Sequence, residues 1–261
     1  MSNNTMDLKT PFQTLALPSG ASLAYSKTVG LASNRLPGII FLPGFMSDMN
    51  GEKALSVENF ARERGQPFVR FDYFGHGNSS GDFADGHIGI WLKDTLAILD
   101  ELTEGPQLLV GSSMGGWLML LTAIYRPQRI AGLIGIAAAP DFTEDLLTKE
   151  LTSEQLLEVQ EKGFTTSPSK FGNDYIYSRA LFDEGRKHLV LRDKIPVHCP
   201  VRLLHGLKDE VVPWQTALTI QQKLVGTDVR IIFVKNGDHR LSTALDLECL
   251  VDTLDIFVKR F

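Results

Sequence analysis

Leu108-Leu109-Val110-Gly111-Ser112-Ser113-Met114-Gly115-Gly116-Trp117-Leu118-Met119-Leu120 is the stretch on which the fold turns. Three apolar residues of strand character run into Gly-x-Ser-x-Gly, and an apolar helical segment begins at once. A serine exposed on a sharp strand-to-helix turn is the setting that a nucleophile needs. Glycines two before and two after Ser113 remove side chains that would collide across such a turn. The helix N-terminus beyond it aims free N–H groups at any anion formed there. Ser113 is therefore the expected nucleophile, since an ordinary helix cap does not explain glycine on both sides. Gly77-Asn78-Ser79-Ser80-Gly81 matches the same pattern. It lacks the context: Ser80-Gly81-Asp82 continues a loop, and no apolar-periodic helix starts there.

Outward from this stretch, short apolar runs alternate with longer segments of helical period. Phe12–Leu17 and Ser22–Lys27 read as a hairpin around Pro18-Ser19-Gly20-Ala21. Strands are expected at Gly38–Leu42, Pro67–Tyr73, Leu108–Gly111 and Ile130–Ala138, with helices at Glu52–Arg64, Ile88–Leu102 and Met114–Tyr125. From Asp141 to about Pro196 the alternation stops. Thr152 and Gln155 form a capping box for a short helix ending at Gly163, and the aromatics Phe164, Phe171, Tyr175, Tyr177 and Phe182 follow. The alternation resumes with strand Val201–His205, a helix near Trp214–Leu224, strand Val229–Lys235 and a helix over Ser242–Lys259. The pattern predicts an α/β fold, with a mostly parallel sheet covered on both faces. Residues 1–140 and 197–261 would form the core, and 141–196 an inserted helical lid within the same single domain. Ligands in such sheets sit at the C-terminal strand ends.

The chain has 261 residues, 43% hydrophobic and 22% charged, with 26 Lys+Arg against 31 Asp+Glu and a formal charge of −5. That apolar content excludes a disordered chain, and two cysteines, Cys199 and Cys249, exclude a disulfide scaffold. Mild acidity argues against nucleic acid or an anionic membrane surface as the main partner. The longest uncharged apolar stretch, Ile130 to Pro140, is well short of the ~20 residues of a membrane span. MSNNTMDLKT has no basic start followed by an apolar run and is poor in arginine, so no secretory signal or transit peptide is expected. With cysteines that look unpaired, this reads as a cytoplasmic protein.

A serine hydroxyl needs a base, held by a third group. Of six histidines, His239 stands in the loop after the last strand, where this architecture brings an imidazole over the nucleophile. His87 and His188 read as surface residues, His198 sits between two prolines, His76 reads as structural, and His205 shapes a turn. Asp209, past the end of strand Val201–His205, has the placement to orient His239. Glu210 is its neighbouring rival, and Asp238 is too close in sequence to His239. The backbone N–H groups of Met114 and Phe45, the latter in Leu42-Pro43-Gly44-Phe45, are the expected oxyanion donors. Pro43-Gly44 also reads as an ordinary tight turn. No cofactor or metal is expected.

With these residues in view, the sequence resembles the α/β-hydrolase superfamily over nearly its whole length. Further segments carry a closer likeness, to palmitoyl-protein thioesterases and acyl-glucuronide esterases within it: Arg70-Phe71-Asp72-Tyr73, Cys199-Pro200-Val201-Arg202-Leu203-Leu204-His205-Gly206, Val212-Pro213-Trp214 and Asp238-His239-Arg240. The resemblance implies Ser113, Asp209 and His239 as a catalytic triad, and a small-molecule ester, an acyl thioester or an S-acylated protein as substrate. A C–C bond or lactone hydrolase would use the same three groups, and a ligand-binding protein without turnover is the non-enzyme alternative. The aromatics after Asp141 serve either as an acyl-pocket wall or as the insertion's own core. Arg179, Arg186 and Lys187 either meet an anionic group or lie on a solvated face.

Overall fold

The structure, a computed structural model, describes residues 12–169 and 174–261. In chain order come β1 (Gln13–Ala16), β2 (Ser22–Thr28), β3 (Gly38–Leu42), α1 (Glu52–Glu63), β4 (Phe68–Phe71), α2 (Ile88–Leu102), β5 (Gln107–Ser112), α3 (Met114–Tyr125) and β6 (Ile130–Ile136). A segment with α4 (Phe142–Asp145), α5 (Ser153–Lys162), β7 (Phe164–Ser167), β8 (Tyr175–Ser178) and α6 (Arg179–Gly185) follows. The chain then returns through β9 (Val201–Gly206), α7 (Gln215–Lys223), β10 (Val229–Val234) and α8 (Ala244–Val258).

The main sheet has eight strands in the order β1-β2-β4-β3-β5-β6-β9-β10. All pairings from β4 to β10 are parallel, while β1–β2 and β2–β4 are antiparallel. Successive strand residues face opposite sides, so a strand buried on both faces must be apolar throughout. Ile40 and Leu42 of β3, Leu109 of β5 and Leu203 of β9 join a core closed by Trp91 of α2 and Trp117 of α3. Their neighbours Ile39, Phe41, Leu108 and Leu204 pack the other way, against Phe60 of α1 and Phe257 of α8. This is the α/β-hydrolase arrangement: a mostly parallel sheet with helices on both faces.

Between β6 and β9 the expected capping box is present. Thr152 Oγ1 accepts from Gln155 N at 3.2 Å, and Gln155 Oε1 accepts from Thr152 N at 3.0 Å. Gly163 ends α5 with φ 86°. The segment is not helical throughout, because β7 and β8 pair as a separate antiparallel sheet. Strands of four residues are too short to display a period against their aromatic surroundings. The three cations expected to meet an anion or lie on a solvated face are paired within this segment. Arg179 donates to the Val159 and Gln160 carbonyls at the end of α5, Arg186 pairs with Glu144, and Lys187 with Glu184. Phe171 lies outside the described residues.

Candidate active site

Three of the expected residues lie just beyond the C-terminal ends of parallel strands, which brings them to one edge of the sheet. Ser113 follows β5 and is the residue before α3, with φ 53° and ψ −117°. That conformation costs a non-glycine residue on the order of 1–3 kcal/mol, so the surroundings must hold it. They do so through the end of β6: Ser113 N donates to Ile136 O at 2.9 Å, and Ser113 O accepts from Ala139 N at 3.0 Å. Gly115 is required by close approach, since a Cβ there would stand 2.0 Å from the Leu42 carbonyl oxygen.

His239 is set by the loop between β10 and α8. Asp238 Oδ1 accepts from the N–H groups of Arg240 and Leu241, closing a turn that presents the imidazole. Lys208 N donates to Gly237 O at 2.9 Å, tying this loop to the one after β9 that carries Asp209. The two loops pack so closely that a Cβ at Gly206 would stand 2.3 Å from Gly237 O.

The outcome is a continuous relay. Asp209 Oδ2 lies 2.8 Å from His239 Nδ1, and His239 Nε2 lies 3.1 Å from Ser113 Oγ. An ionised carboxylate can only accept, so Nδ1 carries the ring proton and Nε2 is left to accept from the serine hydroxyl. The Asp209 side chain is fully buried. Burial pushes its pKa up, but hydrogen bonds from His205 and His239, the His239 charge and the Val212 N–H together hold it well below the usual carboxylate range. Glu210 is exposed on the same loop.

A cavity of about 370 Å³ opens over Ser113 and His239, within the size range of ligand pockets. Phe45, Met114, Phe142, Leu146, Tyr175 and Tyr177 supply much of its wall. Of the aromatics predicted after Asp141, Tyr175 and Tyr177 thus face the cavity. Phe182 is buried in the core and Phe164 is 48% exposed. Met114 and Phe45 both border the cavity, and their N–H groups donate to no acceptor among the described residues. The loop carrying Phe45 is pinned from β4. Arg70, fully buried against Glu58, donates to Met49 O and Asn50 Oδ1, and Asp72 Oδ1 accepts from Met49 N. Lys53 also lines the cavity, its Nζ donating to the Arg240 carbonyl. Burial, and then the Arg240 charge, bring its pKa down to about 8.

The second Gly-x-Ser-x-Gly is structural. Ser79 Oγ donates to Asp72 O at 2.6 Å and accepts from Ala24 N at 2.8 Å, fastening the loop to β2. His76 is buried among Tyr73, Phe83 and Trp91. His87 and His188 are half-buried rather than on the surface, flanking Gly89 beside Glu184. His205 was expected only to shape a turn, yet its Nε2 lies 3.2 Å from Asp209 Oδ2. Its position four residues before an acid at a strand end is the signal that could have found it. Nothing in the sequence marked Lys53, and Arg70 stood out only as part of Arg70-Phe71-Asp72-Tyr73, with no role attached; both positions depend on how the loops pack.

The model of a family described as "Alpha/beta hydrolase family" matches residues 39–246. A bovine relative named "Palmitoyl-protein thioesterase ABHD10, mitochondrial" is 44% identical over 256 residues, covering 97% of this chain and 81% of its own. The solved structure of alpha/beta hydrolase domain-containing protein 10 from mouse superposes with a TM-score of 0.87 at 43% identity, over 96% of this chain and 99% of that one. A putative hydrolase from Agrobacterium vitis S4 gives a TM-score of 0.89 at 36% identity, over 95% and 99%. One expectation is overturned here. Relatives at 43–44% identity are named as mitochondrial, which points away from the cytoplasmic location read from the N-terminal composition and the cysteines.

Proposed function

The chain belongs to the alpha/beta hydrolase family and is a hydrolase of ester or thioester bonds; on that premise we propose that Ser113, His239 and Asp209 carry out acyl transfer from a long-chain S-acyl substrate to water. The observation that carries this reading is the relay from Asp209 Oδ2 through His239 to Ser113 Oγ, at 2.8 and 3.1 Å. His239 Nε2 takes the hydroxyl proton as Ser113 Oγ attacks the acyl carbonyl. Asp209 keeps the ring in the tautomer that can do so and stabilises the imidazolium. The N–H groups of Met114 and Phe45 meet the oxyanion of the tetrahedral intermediate. The imidazolium then protonates the leaving thiolate as the carbon–sulfur bond breaks. Water, deprotonated by the same nitrogen, attacks the acyl-serine carbonyl, and as the bond to Oγ breaks the imidazolium returns its proton to Ser113 Oγ and the acid is freed.

The choice of an S-acylated protein follows from the names of the relatives, palmitoyl-protein thioesterases. The cavity supports it in part, since Phe45, Phe142, Leu146, Tyr175 and Tyr177 offer an apolar wall for the acyl chain. Residues 141–196 act as a lid on the single domain formed by 1–140 and 197–261, with β8 supplying two rings of that wall. Turnover across S-acyl cysteine peptides, acyl-CoA and p-nitrophenyl esters of rising chain length tests the proposal. Long-chain thioesters are expected to give the highest kcat/KM. A sharp preference for short, polar acyl esters would contradict the palmitoyl assignment.

A further inference from the structure

Asp209 is held by more donors than the orientation of His239 requires. Its Oδ1 accepts from the N–H groups of Val211 at 2.9 Å and Val212 at 2.8 Å. Its Oδ2 accepts from His239 Nδ1 at 2.8 Å and lies 3.2 Å from His205 Nε2. A carboxylate offers about four acceptor sites, so this set is complete. His205 Nε2 also faces the Val212 carbonyl oxygen at 3.0 Å. Neither a carbonyl nor an ionised carboxylate brings a proton to this meeting, so the ring proton of His205 sits on Nε2, hydrogen-bonded to the Val212 carbonyl with Asp209 Oδ2 at 3.2 Å. At 1% exposure His205 has no solvent to turn towards. Lys208, Glu210 and Asp238, the charged neighbours on the two loops, are exposed.

We infer that His205 is a positioning residue for the proposed relay: its Nε2–H bridges Asp209 Oδ2 and the Val212 carbonyl, fixing the plane in which Asp209 receives His239. The inference rests on the assignment of Ser113, His239 and Asp209 made above. The bridge acts in two ways. It stops the carboxylate rotating about its Cβ–Cγ bond, so that Oδ2 stays on the line to His239 Nδ1. It also draws charge from Oδ2, so the bond to His239 is tempered by a second donor on the same oxygen. The residues from 209 to 212 thus form a closed clasp: backbone N–H groups hold one oxygen, and an imidazole joins the other to the backbone carbonyl.

Two substitutions separate this from simple packing. Glutamine keeps an N–H near the position of the imidazole Nε2, and leucine fills space without one. Thioester turnover is measured for wild type, His205→Gln and His205→Leu. The proton resonance of His239 Nδ1–H is followed by NMR in the same variants on a Ser113→Ala background, so that readout does not depend on turnover. His205→Leu is expected to lower kcat about tenfold, the scale of one hydrogen bond to a charged group, with little change in KM. It is also expected to move the His239 resonance downfield, as Oδ2 is left to a single imidazole. His205→Gln should recover most of the kcat and hold the resonance near its wild-type position. Wild-type kcat in His205→Leu, an unmoved resonance, or a glutamine variant no better than leucine would overturn the inference. If the leucine variant does not fold, His205→Asn, too short to reach Oδ2, takes its place against glutamine. Failure of the hydrolase mechanism itself would appear differently, as wild-type protein without Ser113-dependent turnover while the His205 bridge still shows in the NMR data.

Discussion

The ring of Tyr177 stacks on that of Phe45, centroids 5.8 Å apart and planes 19° from parallel. Phe45 is also met edge-on by Phe83 at 5.0 Å, Phe142 at 5.6 Å and Trp91 at 5.9 Å. Its side chain therefore sits where the sheet domain and the inserted segment meet, while its backbone N–H borders the cavity over Ser113. In the proposed mechanism that N–H is an oxyanion donor, so β8 helps to hold part of the catalytic apparatus.

The consequence is measurable on a substrate too short to touch Tyr177. An aromatic pair contributes about 0.5–1.5 kcal/mol beyond its buried area. Tyr177→Leu is therefore expected to lower kcat roughly fivefold, with KM for p-nitrophenyl acetate nearly unchanged. Tyr177→Phe, which keeps the stack, should behave as wild type. A loss confined to KM would assign Tyr177 to substrate contact alone.

Ser79 carries the same local pattern as Ser113 but makes two hydrogen bonds that fasten its loop to β2. Ser79→Ala should destabilise the protein by about 1–3 kcal/mol in urea unfolding and leave kcat/KM unchanged. Lost turnover in a variant of normal stability would reverse the roles of the two serines.

Asp94 and His76 meet the backbone of Phe74 from opposite sides: Phe74 N donates to Asp94 Oδ2, and Phe74 O accepts from His76 Nδ1. Burial raises the Asp94 carboxyl from 3.8 to about 7 and lowers the His76 imidazole from 6.5 to about 4. For Asp94 the folded state binds more protons between pH 4 and 7, so its contribution to stability falls as pH rises, by about 4 kcal/mol. For His76 the unfolded state binds more protons between pH 4 and 6.5, so its contribution rises over that window by about 3 kcal/mol. The two nearly offset each other in the wild type. Asp94→Asn removes one of them. Its stability relative to wild type should grow from pH 4 to pH 7 and remain higher at pH 8. A stability difference that shrinks with rising pH would contradict this account.

The sheet core was legible because its strands are buried on both faces. Ile39 to Leu42 and Leu108 to Val110 are apolar without a break, and helices with one apolar stripe lie between such runs. Ser113, Asp209 and His239 could be placed because each stands just past a recognisable strand, and parallel strands deliver those positions to one edge. The β7–β8 pair was not legible, since Phe164–Ser167 and Tyr175–Ser178 are short and pack into a local aromatic cluster instead of extending the main sheet. The contact of His205 with Asp209 was not legible for a related reason. His205 ends a core strand, and only the fold of residues 209 to 212 back over it turns a strand-end residue into a partner of Asp209. The cytoplasmic reading rested on composition at the N-terminus and on cysteine usage, and neither carries the information that the relatives do.

The central claim is that Ser113 is the residue that takes the acyl group. Reaction of the protein with a fluorophosphonate, followed by mass spectrometry of the digested chain, tests it most directly. A single adduct on the peptide containing Ser113, absent from Ser113→Ala and slowed by Asp209→Asn, is the predicted result. An adduct that persists in Ser113→Ala, or one that maps to Ser79, would contradict it.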